Sequence, residues 1–540
     1  MKKSFKLLAV AILGTALAAC SSPEKMAELA ENVIVNCTPS PLEAVAGEVN
    51  AKVAVTYPDG YFHPKAILTV TPVVVYEGGE LALADLKYQG EKVQDNYKMV
   101  PKGGATVTEN LKFPYVKGME KSYLELRGVV SYKSKSIALP TKKVADGLNT
   151  TYMLADTEGA IAYKADAYQE IIKISEEGQI LYSINSADVR AKELSGQSIA
   201  DFQKAIDEAN ANERKVIKST EVIAYASPDG GQKLNSSLSD KRANSAEKAW
   251  AKVTKGHEAA APEVKSVGQD WEGFQSLVGA SSIADKDLIL RVLSMYSDPA
   301  VRESEIKNMS EVYTELKGSV LPELRRARFI ANVEYTNYTA DELKKLIDEN
   351  IDVLDEEALL RAASLVDVDK KIELYKKAAS KFGSDRAQFN LGVAYLEKGD
   401  DAAAASAFNA VKTNDADLKN AKGVLALRAG RLAEAKSSFE AAGTDASKAN
   451  LGTLAILSGD YAKAAQLATG RNKALALLLQ GKVDEASAAL TCKCEKGEYI
   501  RAIIAARKGD ASAAKTHLAA ASKNAELKAR AEKDIEFAAL

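Results

Sequence analysis

The stretch Glu221-Val222-Ile223-Ala224-Tyr225-Ala226-Ser227-Pro228-Asp229-Gly230-Gly231-Gln232-Lys233-Leu234-Asn235-Ser236-Ser237-Leu238-Ser239-Asp240-Lys241-Arg242-Ala243 decides how the middle of this chain is read. Residues 222–226 are apolar or small and of strand length, 227–231 form a Pro-Asp-Gly-Gly turn, and 238–253 carry helical spacing with Ser239 placed as an N-cap. A strand thus delivers a short polar loop beside the start of a helix that bears Arg242. Loop amides, a helix N-terminus and a guanidinium can converge on one anionic group such as a carboxylate.

The same residues resemble the C-terminal domain of the OmpA family. That peptidoglycan-binding module reads strand, Gly-His-Thr-Asp-x-x-Gly, Asn, then Leu-Ser-x-x-Arg-Ala. Gly230, Asn235, Leu238, Ser239, Arg242 and Ala243 fall on the pattern. Upstream, 178–190 resembles the family's first strand with its Phe-Asn-Ser ending, here Ile184-Asn185-Ser186. Downstream, Leu324-Arg325-Arg326-Ala327-Arg328-Phe329-Ile330 resembles the opening of its last strand. The likeness covers about 175–336 and implies an OmpA-like α/β domain over 165–338.

In the family, an Asp and this Arg clamp the diaminopimelate of the cell-wall peptide. Ser227 stands at the position of that Asp, and Asp229 follows two residues later. The resemblance therefore implies that Arg242 pairs the ligand carboxylate, Asp229 receives its ammonium, and Ser227 and Asn235 shape the loop. The other reading of Arg242 is a helix residue capping a neighbouring carbonyl. The Ala-Ser-Pro-Asp-Gly version, with Gly268-Gln269-Asp270-Trp271, is similar to a divergent branch of outer-membrane-associated proteins from Bacteroides-type bacteria. Wall binding does not follow automatically for that branch.

Outward from this centre, 540 residues are too many for one core and indicate three or four domains. Lys and Arg (72) nearly balance Asp and Glu (74), so no whole-chain field favours nucleic acid or an anionic membrane surface. The chain opens with Lys2, Lys3 and Lys6, an apolar run over 7–19, and Leu17-Ala18-Ala19-Cys20, which resembles the lipobox of bacterial lipoproteins. This implies removal of 1–19 and an acylated Cys20 at the head of a linker over 20–30. Buried acyl chains contribute roughly 0.8 kcal/mol per methylene, enough with two or three chains for a stable anchor. Ser21-Ser22 places no Asp after the cysteine and no acidic run follows, which points to the outer membrane with a periplasm-facing body and leaves surface exposure open.

Residues 31–155 carry alternating β-branched runs at 33–35, 49–55, 66–76, 104–113, 123–132 and 136–139, broken by turn residues. They predict a β-sandwich, immunoglobulin-like in layout. Tyr57, Tyr61, Phe62 and His63 beside Pro58-Asp59-Gly60 form either a binding tip or a plain hairpin loop. Between 271 and 321 the chain is helix-rich, an insertion on the central domain, with Trp250 and Trp271 as core anchors.

From 340 to 540 the composition shifts to Ala, Leu, Lys, Glu and Asp without proline, and repetition takes over. Leu391-Gly392, Lys422-Gly423 and Leu451-Gly452 recur 31 and 29 residues apart. Gly399, Gly430, Gly459, Gly481 and Gly509 each end a helix, followed by Phe408, Phe439, Leu467, Leu490 and Leu518 on the next. The pattern resembles a shortened tetratricopeptide repeat (TPR), an α-helical solenoid in which small residues let paired helices approach. Such arrays present a concave surface to a protein partner; a purely structural cap is the other reading.

Little chemistry is available. Cys492-Lys493-Cys494 has no second Cys or His pair beside it, so an oxidised turn or incidental small residues outweigh a metal. His63, His257 and His517 lie in three different regions, and no phosphate loop, nucleophile elbow or zinc motif occurs. The expectation is a non-enzymatic outer-membrane lipoprotein without cofactor or metal. It acts as a scaffold or tether whose OmpA-like domain contacts peptidoglycan and whose TPR-like tail binds a protein partner. The alternative is an assembly subunit of an outer-membrane complex that no longer binds the wall.

Overall fold

A computed structural model describes residues 23–540. Cys20 and the leader lie outside the described residues. The chain divides into two compact units, one formed by residues up to Lys164 together with Asp385–Leu540, the other by Ala165–Ser384. No helix among the described residues is long and apolar enough to cross a membrane.

The first unit begins with two sheets. Glu48–Tyr57 pairs with Ile34–Thr38 and Leu42–Val45 on one side and with Ala105–Pro114 on the other. Ile67–Tyr76 and Ser122–Tyr132 form the centre of the second sheet. Strict alternation decides which side chains face inward: Val49, Ala51, Val53 and Val55 are buried while their neighbours are not. They meet Leu68, Val70, Leu124 and Leu126 of the opposite sheet in one core. Tyr57, Tyr61 and Phe62, the aromatic group read as a tip or a loop, are core residues, with Tyr57 stacked on Tyr61 at 5.5 Å between ring centroids.

The C-terminal part of this unit is a row of antiparallel helical hairpins, from Asp385–Lys398 with Asp401–Asn409 to Glu495–Arg507 with Ala511–Ala521. Each hairpin turns at a glycine in the left-handed region, Gly399, Gly430, Gly459, Gly481 and Gly509. In the first two hairpins the helices approach closely because a glycine faces a ring. A Cβ on Gly392 would sit 2.4 Å from Phe408, and one on Gly423 would sit 2.5 Å from Phe439. In the third hairpin Gly452 faces the backbone of Ala468, not Leu467. At the far end the Ile535–Phe537 turn closes onto the sheets: Asn149 and Thr151 donate to Glu536 at 2.8 and 2.9 Å, and Arg530 donates to the Thr150 carbonyl at 2.8 Å.

The second unit holds a four-stranded mixed sheet. Ile171–Leu181 and Lys215–Ala226 flank Arg326–Thr336 antiparallel, and Glu263–Gln269 runs parallel to Lys215–Ala226. Helices Gln197–Asn210 and Gln232–Val253 share one core with the sheet. Phe202 and Trp250 meet Phe329 there, so Trp250 belongs to this core, while Trp271 packs with Phe274 in the insertion's separate cluster. The Gln232–Val253 helix starts six residues before the expected 238, with Gly231 as N-cap. Ser239 is therefore an interior residue, bonded to Ser266 at 2.7 Å and to the Gly268 amide at 3.0 Å. The helices between 340 and 384, which composition groups with the tail, cluster with this second unit.

Candidate functional site

Two places carry organised polar chemistry. The first is the 227–231 loop of the second unit. The Ser227 hydroxyl donates to Asp229, and the Asp229 carboxylate is paired with Arg325 at 3.3 Å, both side chains mostly buried. Asn235 donates to the Ser227 and Gly230 carbonyls at 2.9 and 2.6 Å, so its amide holds the loop's shape. Arg242 is wholly buried. Its guanidinium donates to three main-chain carbonyls, those of Tyr225 at 2.9 Å, Ser186 at 3.0 Å and Ser183 at 3.3 Å, and lies over the Tyr182 ring. Burial pulls its pKa down to about 10, helped by the nearby Arg325 and opposed by Tyr182 and Asp229, so it stays charged at neutral pH.

The structure thus gathers Ser227, Asp229, Asn235 and Arg242 around one loop, yet gives the acid and the guanidinium separate partners within the protein. Asp229 takes Arg325 as its partner, and Arg242 takes carbonyls. Helices of the insertion cover the loop. The space between Pro228, Asp229 and Trp271, Phe274, Lys307 and Tyr313 is about 10 Å³, room for about one water. Arg325 stood in the sequence within the paired arginines before the last strand, but nothing local tied it to Asp229. Its neighbours Arg326 and Arg328 pair with Asp270 at 2.8 Å and with Glu177.

The second place lies wholly within the first unit. Residues 155–169 have no regular structure, and 156–164 run as an extended strap along the first helices of successive hairpins. Four buried asparagines receive it. Asn472 accepts from the Asp156 amide at 2.7 Å and donates to the Asp156 carbonyl at 2.9 Å. Asn450 makes the same pair with Ala160 at 2.6 and 3.0 Å, and Asn390 with Lys164 at 2.7 and 2.9 Å. Asn420 adds a bond to the Ala160 carbonyl and accepts one from Asn450, each at 3.0 Å. A carboxamide presents one donor and one acceptor, like a peptide group, so it pairs with an extended main chain as a neighbouring strand would. The strap meets the last of these helices first and so runs opposite to the order of the repeats.

Side chains fix its register. Asp156 pairs with Arg471, Glu158 with Arg428, and Lys164 with Asp415 at 2.5 Å. Burial works against ionisation of Asp415, but hydrogen bonds from Lys164 and from backbone amides prevail and hold its carboxyl below the usual range. Gly159 adopts φ +85°, and a Cβ there would lie 2.8 Å from the Val424 methyls. Ile161 and Tyr163 pack against the repeat core. The asparagines at 390, 420 and 450 recur every 30 residues, a signal in the sequence that passes unnoticed beside the glycines. Cys492 and Cys494 are joined as a disulfide, and Arg471 donates to the Cys494 sulfur at 3.0 Å.

No protein-family model matches this chain, and no curated protein matches it. Among solved structures it is similar to YrrB, a TPR protein with an unusual peptide-binding site, at 17% identity over 36% of this chain and 100% of that one, with a TM-score of 0.21. It is also similar to Salmonella alpha-2-macroglobulin reacted with methylamine, at 13% identity over 83% of this chain and 27% of that one, with a TM-score of 0.14. The chain therefore spans about a quarter of the macroglobulin's length.

Proposed function

We propose that this chain is a non-enzymatic lipoprotein, anchored in the outer membrane through Cys20 and facing the periplasm, that serves as an assembly subunit of an envelope complex. In this reading its OmpA-like module keeps the family's scaffold and has lost the wall ligand. One observation carries that choice over a peptidoglycan tether: both halves of the clamp are already satisfied from within, Asp229 by Arg325 and Ser227, and Arg242 by three carbonyls. A diaminopimelate group would have to break a mostly buried ion pair and displace the covering helices before gaining equivalent bonds.

Purified sacculi test this. The body from Ser21 onward, incubated with diaminopimelate-containing sacculi, is expected to remain in the supernatant, while the lipidated protein co-purifies with membrane proteins after mild detergent extraction. Retention on sacculi that disappears in Asp229→Asn would overturn the assignment and restore the tether.

A further inference from the structure

The strap and its asparagines raise a question that the envelope reading does not touch. We propose that the face formed by helices Asp385–Lys398, Ala416–Arg428, Asp445–Leu457 and Gly470–Leu479 is a binding site for an extended polypeptide, which residues 156–164 occupy in cis as a displaceable ligand. The site recognises main chain first. Bidentate asparagine pairs at positions 156, 160 and 164 engage every fourth residue and are indifferent to the side chains there. Selectivity comes from the flanking groups. Arg471 and Arg428 take acidic residues two apart, Val424 admits only glycine next, the repeat core takes an aliphatic and an aromatic residue, and Asp415 takes a terminal base. The partner segment is therefore acidic, any, acidic, Gly, any, aliphatic, any, aromatic, basic.

Three features make the occupant removable. No residue from 155 to 165 is buried, whereas the asparagines beneath it are. Glu158 has a side chain 62% exposed, so its pair with Arg428 is screened by water. A cavity of about 290 Å³ opens beside Asp156, Ala160 and Asn472. Departure of the strap would wet four carboxamides, which water can satisfy, and would uncover the apolar contacts of Gly159, Ile161 and Tyr163, which a partner segment of the same pattern would cover again. Because a tethered segment acts at an effective concentration in the millimolar range, the cis ligand excludes free peptides of ordinary affinity until it is weakened. The inference stands or falls independently of whether the second unit binds the wall.

Gly159→Val in the mature chain weakens the strap alone: a branched side chain at φ +85° against Val424 cannot seat, and every groove residue is untouched. A fluorescein-labelled peptide of residues 155–165 is the probe. Saturable binding to the variant, at least about tenfold weaker binding to the wild type, and loss in Gly159→Val/Asn450→Ala are expected. A folded Gly159→Val protein that ignores the peptide overturns the proposal, as does equal binding to the double variant. Hydrogen exchange on the wild type decides independently of whether the variant folds. The Asp156, Ala160 and Lys164 amides are expected to exchange at least about tenfold faster than the amides of Ala416–Arg428; exchange only through global unfolding sinks the idea.

Discussion

Asn450 and Asn420 look alike in sequence and differ in what they hold. Asn450 binds both polar groups of Ala160 and donates to Asn420, whereas Asn420 donates one bond to a carbonyl that Asn450 also serves. Asn450→Ala should therefore leave an amide and an asparagine oxygen without partners and cost about 2 to 4 kcal/mol, against about 1 for Asn420→Ala. Urea unfolding of the two variants side by side measures the difference, and equal losses would mean that the ladder is not the support described. Arg242 poses the opposite case, a buried charge held by carbonyls alone. Arg242→Met keeps the volume, strands the carbonyls of Ser183, Ser186 and Tyr225, and relieves the desolvation that lowers the guanidinium pKa. The net loss should be about 2 to 4 kcal/mol, read by thermal unfolding. At this scale the sequence revealed which residues cluster around the loop, since the spacing from Ser227 to Arg242 is local. It concealed that Asp229 belongs to Arg325, because that pairing spans 96 residues and depends on where the insertion lets the last strand begin.

Among elements, the repeat hairpins were legible because a glycine ends the first helix of each, and in the first two the requirement is written again as a glycine in the first helix and an aromatic ring in the second. Gly392→Ala places a methyl group into the Phe408 ring, overpacking that should cost about 1 to 3 kcal/mol. Gly392→Ala/Phe408→Leu should recover part of it, since the smaller side chain vacates the space, and a double-mutant cycle by denaturation shows a coupling or refutes the contact. The long strands were legible for a similar reason, each carrying a period-two pattern that burial on one face enforces. Short strands such as Leu86–Gly90 and Lys98–Val100 were missed, being too brief to show a period. The helix that opens at Gln232 was placed late because its N-cap is a glycine and its first turn is polar, with Asn235 turned back to the loop. The strap has no periodicity at all. An extended segment that borrows its hydrogen bonds from residues more than 200 positions away leaves no local trace.

For the whole molecule, the first unit is built from two separated pieces of chain, and its closure can be tested by acid and by deletion. Glu536 seals the junction of sheets and tail, paired with Arg507 and accepting from Asn149 and Thr151. Burial raises its pKa, but the bonds from Arg507, Asn149 and Thr151 outweigh that and leave it depressed. A depressed carboxyl contributes stability fully above the unfolded glutamate value of about 4.3 and loses it as pH falls through the lower folded value. The gap in stability between wild type and Glu536→Gln should therefore be about 2 kcal/mol at pH 7 and shrink steadily below about pH 4.3. Deletion tests the same closure more severely. The chain leaves the first unit at Lys164 and returns at Asp385, and both ends grip one short loop: Lys164 pairs with Asp415, and the Asp385 carboxylate accepts from the Lys412 and Thr413 amides at 3.1 and 2.9 Å. A linker of about six Gly and Ser residues reaches up to about 20 Å, ample for ends held by one loop. Replacing 165–384 with that linker should yield a soluble protein with cooperative unfolding and with Asp156, Ala160 and Lys164 amides as protected as in the full chain. The reason is that every bond that closes this unit, from the asparagine pairs to the Glu536 seal, is made by residues the deletion leaves in place. An aggregated product, or a strap stripped of protection, would mean that the 165–384 segment supplies support to the first unit beyond these bonds.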